Sequence, residues 1–290
     1  MSYSLLFATL FPTFITTNSI FVKANSIGNR DNRYSFSLTT FSPNGQLQQV
    51  EYATLAAATL GDTPILATII NTPVQARILF CSRQTLPSPL IKDDGTPRFI
   101  SICPGIAMTH SGLSADGRVL LAAAQRLAIE HEYTYDEDIP ISIFLEELSL
   151  LFQKYTMKPG SRPFGCSLII GDCTCSSGVP ALYRMGPSGV VERFDVDPTG
   201  SLVGVAMILG VGKEEKSVRS FLADRNLWKG EIDEDKAINI MMDSILKHHE
   251  KDENKSPQSA EEKPKLAHSF ITASMGAQEN LKVNFRRKFD

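Results

Sequence analysis

Changes in the spacing of apolar positions divide the chain into elements. Near the front, "RYSFSLTTFSPNGQLQQVEYATLAAATLG" (33–61) begins like a strand, breaks at Ser42-Pro43-Asn44-Gly45, and continues with Leu47, Val50, Ala53, Ala57 and Leu60 at helical spacing. Proline at the second position and glycine at the fourth fit a type I turn. Gln46, Gln48 and Gln49 take the remaining helix face. Two strand-like runs follow, "PILATII" (64–70) and "ARILFCS" (76–82), and "RFISICPGIAMTHSG" (98–112) reads as two more strands broken near Pro104-Gly105.

Ser114 is placed to cap the next helix, with Asp116 in its first turn to complement the dipole and Leu120, Ala123 and Leu127 as buried positions. A second helix is expected from about Ser142 to Tyr155, because Phe144, Leu148, Leu151, Phe152 and Tyr155 form a single face. "CSLIIGD" (166–172) has strand length, and Gly165 before it suits close backbone packing. "PALYRMG" and "GVVERFDVD" suggest a hairpin, and "GVAMILGVG" (204–212) a buried strand. Helices are expected around Lys213–Asn226 and Asp233–Glu250, then a charged loop without fixed structure over 251–265, then strands in "HSFITASMG" and "NLKVNFRRKF". Strands and helices fall in segregated runs, which suggests an α+β fold of stacked layers rather than alternating βαβ units.

Composition changes this picture little. The 290 residues suffice for one large domain or two small ones, and 42% apolar with 21% charged residues is ordinary for a globular chain. A net charge of -3 leaves no electrostatic footprint for nucleic acid. The five cysteines (Cys81, Cys103, Cys166, Cys173, Cys175) are odd in number and lie mostly in apolar runs, so they read as buried free thiols in a reducing compartment. Cys173-Thr-Cys175 lacks a second pair at zinc spacing, and no metal or cofactor is expected.

The apolar stretch "SYSLLFATLFPTFITTNSIF" is interrupted by Pro12, and its first basic residue, Lys23, comes after it. An unusual targeting segment, an extension without fixed structure and a stretch absent from the mature protein all compete for residues 1–30, and the pattern favours the last two. No membrane partner is expected. "GVGK" near Gly210 lacks the spacing of a phosphate loop and reads as a turn. Glu130, Glu132, Asp136, Glu137 and Asp138 read as a solvated helix end. His110, His131, His248 and His249 form no legible catalytic arrangement.

"YSFSLTTFSPNGQLQQVEYA" resembles the N-terminal signature of proteasome alpha subunits, with the Tyr-Ser-Phe-Ser start of the type 2 branch. The likeness continues through "SGLSADGRVLLAAAQRLA", "GSRPFGCSLIIG" and "KSVRSFL", covering most of residues 31–290. The resemblance implies the four-layer αββα sandwich of N-terminal-nucleophile hydrolases. It also implies a non-catalytic alpha-ring subunit of the proteasome core particle, acting in ubiquitin-dependent protein degradation in the cytoplasm and nucleus. Its implied partners are other alpha subunits, beta subunits, and regulatory-particle ATPase C-terminal tails or other activators. In the family the front helix packs between ring neighbours and the preceding segment forms a gate. Tyr34, Ser35, Phe36, Pro43 and Tyr52 match that signature, although Ser35-Phe36 replaces the Asp-Arg of most alpha types.

Catalytic beta subunits of the family use an N-terminal threonine whose free amine serves as base, tuned by a lysine and an aspartate. Aligned by pattern, the threonine column falls at Asp62 with Thr63 beside it, the aspartate column near Ser82, and the lysine column at Arg98. Processing before Thr63 would remove the whole signature helix. Arginine stays charged and cannot replace a tunable amine, so no catalytic residue is expected. The lysine column of alpha subunits receives the carboxylate of activator tails. Arg98 could take one bidentately, or be an ordinary surface arginine at a strand start. A self-processing threonine peptidase or amidohydrolase, and a stand-alone binding protein on this scaffold, stay open as alternatives. The sequence departs from the family at "PILATIINTP", where Leu66 replaces a usual glycine. The family's Asp-Pro-Ser-Gly turn has two altered versions, Gly186–Gly189 and Asp197–Gly200.

Overall fold

The described residues of the computed structural model are 37–60, 64–71, 76–84, 98–174, 180–194, 207–209, 233–253, 267–276 and 280–289. The chain divides into the units Met1–Ser35 and Phe36–Asp290, the first lying outside those residues. So do Phe36, Asp62, Thr63, Cys175, Asp197–Gly200, Gly210 and the expected helix Lys213–Asn226.

Four helices are described: α1 (Gln48–Thr59), α2 (Ser114–Tyr135), α3 (Ile141–Met157) and α4 (Glu234–Glu253). The first strands are β1 (Ile65–Asn71), β2 (Ala76–Gln84), β3 (Phe99–Cys103), β4 (Ile106–Gly112) and β5 (Cys166–Asp172). The rest are β6 (Ala181–Met185), β7 (Val191–Phe194), β8 (Met207–Leu209), β9 (Ala267–Met275) and β10 (Lys282–Phe289). They form two five-stranded antiparallel sheets in the orders β10-β9-β2-β1-β8 and β3-β4-β5-β6-β7.

The twofold period of a strand explains the layers. Ile65, Ala67, Ile78 and Phe80 point from the first sheet toward Ala107 and Ile169 of the second. Their sequence neighbours Leu66, Leu79 and Cys81 point the other way, onto Ile238, Met241 and Ile245 of α4. In the second sheet Met108, Leu168 and Ile170 turn outward onto Leu120 of α2 and Phe144 and Leu148 of α3. Strands apolar on both faces are covered on both faces, giving the helix–sheet–sheet–helix order of an α+β αββα sandwich. Leu66 is fully buried under α4, where the methyl-bearing side chain fills space a glycine would leave.

Some local expectations shift. Leu113, not Ser114, occupies the N-cap of α2, and it makes no side-chain cap bond. The buried stripe of α2 is Asp116, Gly117, Leu120, Leu121, Ala124 and Ala128; Ala123 and Leu127 are half-buried beside it. In α3 the buried face is Phe144, Leu148, Phe152 and Thr156, with Leu151 and Tyr155 packed at its border. Helix α4 runs through to Glu253, so the first three residues of the expected 251–265 loop are helical. Gly186–Gly189 makes the β6–β7 turn, closed by the Gly189 amide donating to the Gly186 carbonyl at 2.9 Å.

Candidate functional site

The front of the domain folds as its turn chemistry requires. Gly45 N–H donates to the Ser42 carbonyl at 2.8 Å, closing a turn over exposed Pro43, and Gly45 has a φ of 78°, which glycine adopts without strain. The Gln46 amide donates to Ser42 Oγ at 3.1 Å, so the serine braces the turn from both ends. Helix α1 then lies against β4 and β5. Of the expected face, Ala53 and Ala57 are buried, Leu47 and Val50 half-buried and Leu60 exposed, while Leu55, 62% exposed, lies off it. Alanine lets a helix axis approach strand ends closely, and the larger side chains are left outside. Tyr52 is half-buried, with Oη donating to Gln48 Oε1 at 3.4 Å. Phe41, 66% exposed, Leu47 and Val50 line a cavity of about 320 Å³ shared with Thr156 of α3 and Ser188.

The floor beneath α1 has no slack. Gly112 ends β4 with a φ of 107°, and a Cβ there would lie 2.5 Å from the Gly165 carbonyl oxygen and 3.0 Å from Ala57 Cα. The close approach therefore belongs to Gly112; around Gly165 an added Cβ would meet only ordinary contacts. Gly165 is held by its polar groups instead. Its amide donates to Asp116 Oδ2 at 2.9 Å, and its carbonyl accepts from Leu113 N–H at 2.9 Å. Arg162 grips the same carboxylate with both terminal nitrogens, at 2.6 and 2.8 Å. Burial pushes the Asp116 carboxyl up, but the Arg162 and Gly165 hydrogen bonds outweigh it and hold the group below its ordinary value. Sequence reasoning gave Asp116 a dipole role and missed Arg162. The available signal was an arginine beside Pro163-Phe164-Gly165 and an acid in a helix's first turn.

A second feature lies where the sheets meet. Arg98, half-buried just ahead of β3, donates from Nη1 to Ser82 Oγ at 2.8 Å and to the Arg83 carbonyl at 3.3 Å. Its own carbonyl accepts from buried Thr109 Oγ1 at 2.9 Å. Ser82 sits in β2 opposite Ile65, so the bond joins one sheet to the other beside the Phe80–Phe99 ring contact. The structure thus brings together the two positions that pattern alignment assigned to the aspartate and lysine columns. His110 lies nearby on β4, and burial, aided by the Arg98 and Arg118 charges, lowers its imidazole to about 4, leaving it neutral at neutral pH. Its ring fills the space a side chain at position 117 would need: a Cβ on Gly117 would come 1.9 Å from Cδ2. Gly117→Ala, which ordinarily favours a helix by up to about 1 kcal/mol, is therefore expected to destabilise by roughly 2 kcal/mol. In a double-mutant cycle with His110→Ala, urea denaturation should show most of that cost removed; strict additivity would refute the contact's role.

Burial pushes the thiols of Cys81, Cys103 and Cys166 up to about 12, which suits structural rather than nucleophilic cysteines. None of the four described cysteines, Cys173 included, takes part in a disulfide. Pro43 and Tyr52 belong to the front element and Arg98 to the sheet corner; Tyr34, Ser35 and Phe36 lie outside the described residues.

Residues 74–259 match the proteasome subunit family, and residues 34–56 match the N-terminal signature of its A-type subunits. The chain belongs to the proteasome alpha-subunit family. The alpha signature ends inside α1 and takes in its first nine residues, Ala53 among them. Among similar proteins, "Proteasome subunit alpha type-2" of Drosophila melanogaster is 40% identical over 168 residues, covering 58% of this chain and 68% of the relative. The protein of that name from Oryza sativa subsp. indica is 31% identical over 204 residues, 70% of this chain and 78% of its own. That of Trypanosoma brucei brucei is 31% identical over 200 residues, 69% and 78% respectively. As a proteasome alpha subunit, the chain is a component of the core particle, and its sandwich is the family's fold.

Proposed function

We propose that this alpha subunit is non-catalytic and supports ubiquitin-dependent protein degradation through ring assembly, pore gating and activator docking. The observation that carries this reading is the Arg98–Ser82 hydrogen bond at 2.8 Å. Where a catalytic sister would hold a lysine and an aspartate, this corner holds a permanently charged guanidinium and a neutral hydroxyl. Neither can tune an amine near neutral pH. The front element supports the assembly role, because it docks through alanines and leaves Phe41, Leu55 and Leu60 on the surface, where a ring neighbour would cover them.

Arg98 is the residue through which activators dock in this reading. A guanidinium offers a carboxylate two parallel charge-assisted hydrogen bonds, which an ammonium cannot match in geometry. In core particles carrying Arg98→Ala, binding of activator C-terminal tail peptides is expected to weaken by about 2–5 kcal/mol, measured by fluorescence anisotropy. Native mass spectrometry tests the wider reading. Co-purification with beta subunits in a ring-sized complex is expected, together with no peptide hydrolysis by the isolated chain. A monomer in cells would favour a stand-alone binding protein, and unaided cleavage a self-processing hydrolase.

A further inference from the structure

We infer that Ser82 is the positioning residue for Arg98, fixing the plane in which the guanidinium meets a carboxylate; the inference rests on the activator-tail reading of Arg98. The anchor is rigid. Ser82 is fully buried, and its strand is paired on both sides, with Ile65 of β1 and Ile271 of β9 opposite it. Its hydroxyl has a defined polarity: Oγ donates to the Arg83 carbonyl at 3.4 Å and accepts from Arg98 Nη1 at 2.8 Å. The same carbonyl takes a second bond from Nη1 at 3.3 Å. At the other end of the residue, Thr109 holds the Arg98 backbone. A planar group tethered at Nη1 and at its main chain loses most of its rotational choices before a ligand arrives. A bidentate partner needs that plane to be set, because both of its hydrogen bonds lie in it. Preorganisation of this kind raises affinity without adding a contact to the ligand.

The residue type at position 82 also sets selectivity. An aspartate there would place a resident carboxylate against Nη1, and an incoming one would have to compete with it. Serine holds the guanidinium through a neutral acceptor, which adds no negative charge for an incoming carboxylate to displace.

The test uses assembled core particles and one activator tail peptide in two forms, with a free C-terminal carboxylate and with a C-terminal amide. Ser82→Ala should weaken binding of the free acid roughly fivefold, the worth of one modest hydrogen bond, without changing the amide's affinity. Ser82→Thr, which restores a hydroxyl, should recover the acid's affinity, and Ser82→Asp should abolish the preference for acid over amide. Arg98→Ala should abolish it too. An unchanged acid-to-amide ratio in Arg98→Ala overturns the tail reading itself. A ratio lowered in Arg98→Ala but unchanged in Ser82→Ala overturns the Ser82 role alone. Equal weakening of both peptides in Ser82→Ala, with a lowered melting temperature, assigns the hydroxyl to fold stability and overturns the inference as well.

Discussion

Replacing Gly112 with alanine is expected to destabilise the protein by roughly 3–5 kcal/mol and to loosen α1 before any other element. Two costs add. At a φ of 107° an L side chain is strained, and the new methyl would sit 2.5 Å from the Gly165 oxygen, 2.9 Å from Cys166 Cα and 3.0 Å from Ala57 Cα. All three are backbone atoms, so no rotamer change relieves the overlap. The β4–β5 register, with Gly112 opposite Cys166, is anchored by a fully paired strand, which leaves α1 as the element able to move. Gly160→Ala is the matching control, since Gly160 has a φ of 78° with nothing within 4 Å of an added Cβ, and should lose only about 1 kcal/mol. Urea denaturation gives the totals, and amide hydrogen exchange shows where protection is lost. A loss in Gly112→Ala no larger than in Gly160→Ala, or α1 amides as protected as before, would show that the helix does not depend on this contact.

That dependence was invisible in the sequence, and the reason is physical. Strands were legible because their two apolar faces, or an unbroken run such as Cys166–Asp172, leave little choice of element. The order of layers followed from them. Helical period gives a stripe, but not which of its members carry the contact when the docking residues are alanines. The stripe read for α1 includes Ala53 and Ala57, which make the contact, but its larger members Leu47 and Leu60 flank the helix and stay half-buried and exposed. In α2 the stripe is displaced by Gly117, whose missing side chain admits the His110 ring. The corner of Arg98 and Ser82 was legible only through family resemblance, because Ser82 lies in a strand of one sheet and Arg98 just ahead of a strand of the other. Asp116 and Arg162 lie 46 positions apart, and the pairing of two charges across that separation has no local signature.

Asp116→Ala is expected to cost roughly 2–4 kcal/mol, because one carboxylate serves three donors. Two of them belong to Arg162, whose side chain is 60% exposed, so rehydration recovers much of that loss. The third is the buried Gly165 amide, which loses its acceptor when the carboxylate is removed. Asp116→Asn, which keeps an acceptor for that amide, should be clearly milder than alanine, and Arg162→Ala should lose only about 1 kcal/mol. The acid limb gives an independent check. The carboxyl is held below its ordinary value in the folded chain, so its contribution is complete above the unfolded value near ~3.9 and disappears as pH falls through the folded one. Between neutral pH and pH 3 the wild type should therefore lose more stability than Asp116→Ala, and the two unfolding midpoints should converge. Parallel curves down to pH 3 would assign the cost of the alanine variant to lost packing around Gly165 rather than to the charge. Geometry links this pair to α1, because the carboxylate fixes Gly165, and Gly165 with Gly112 forms the surface on which the helix rests.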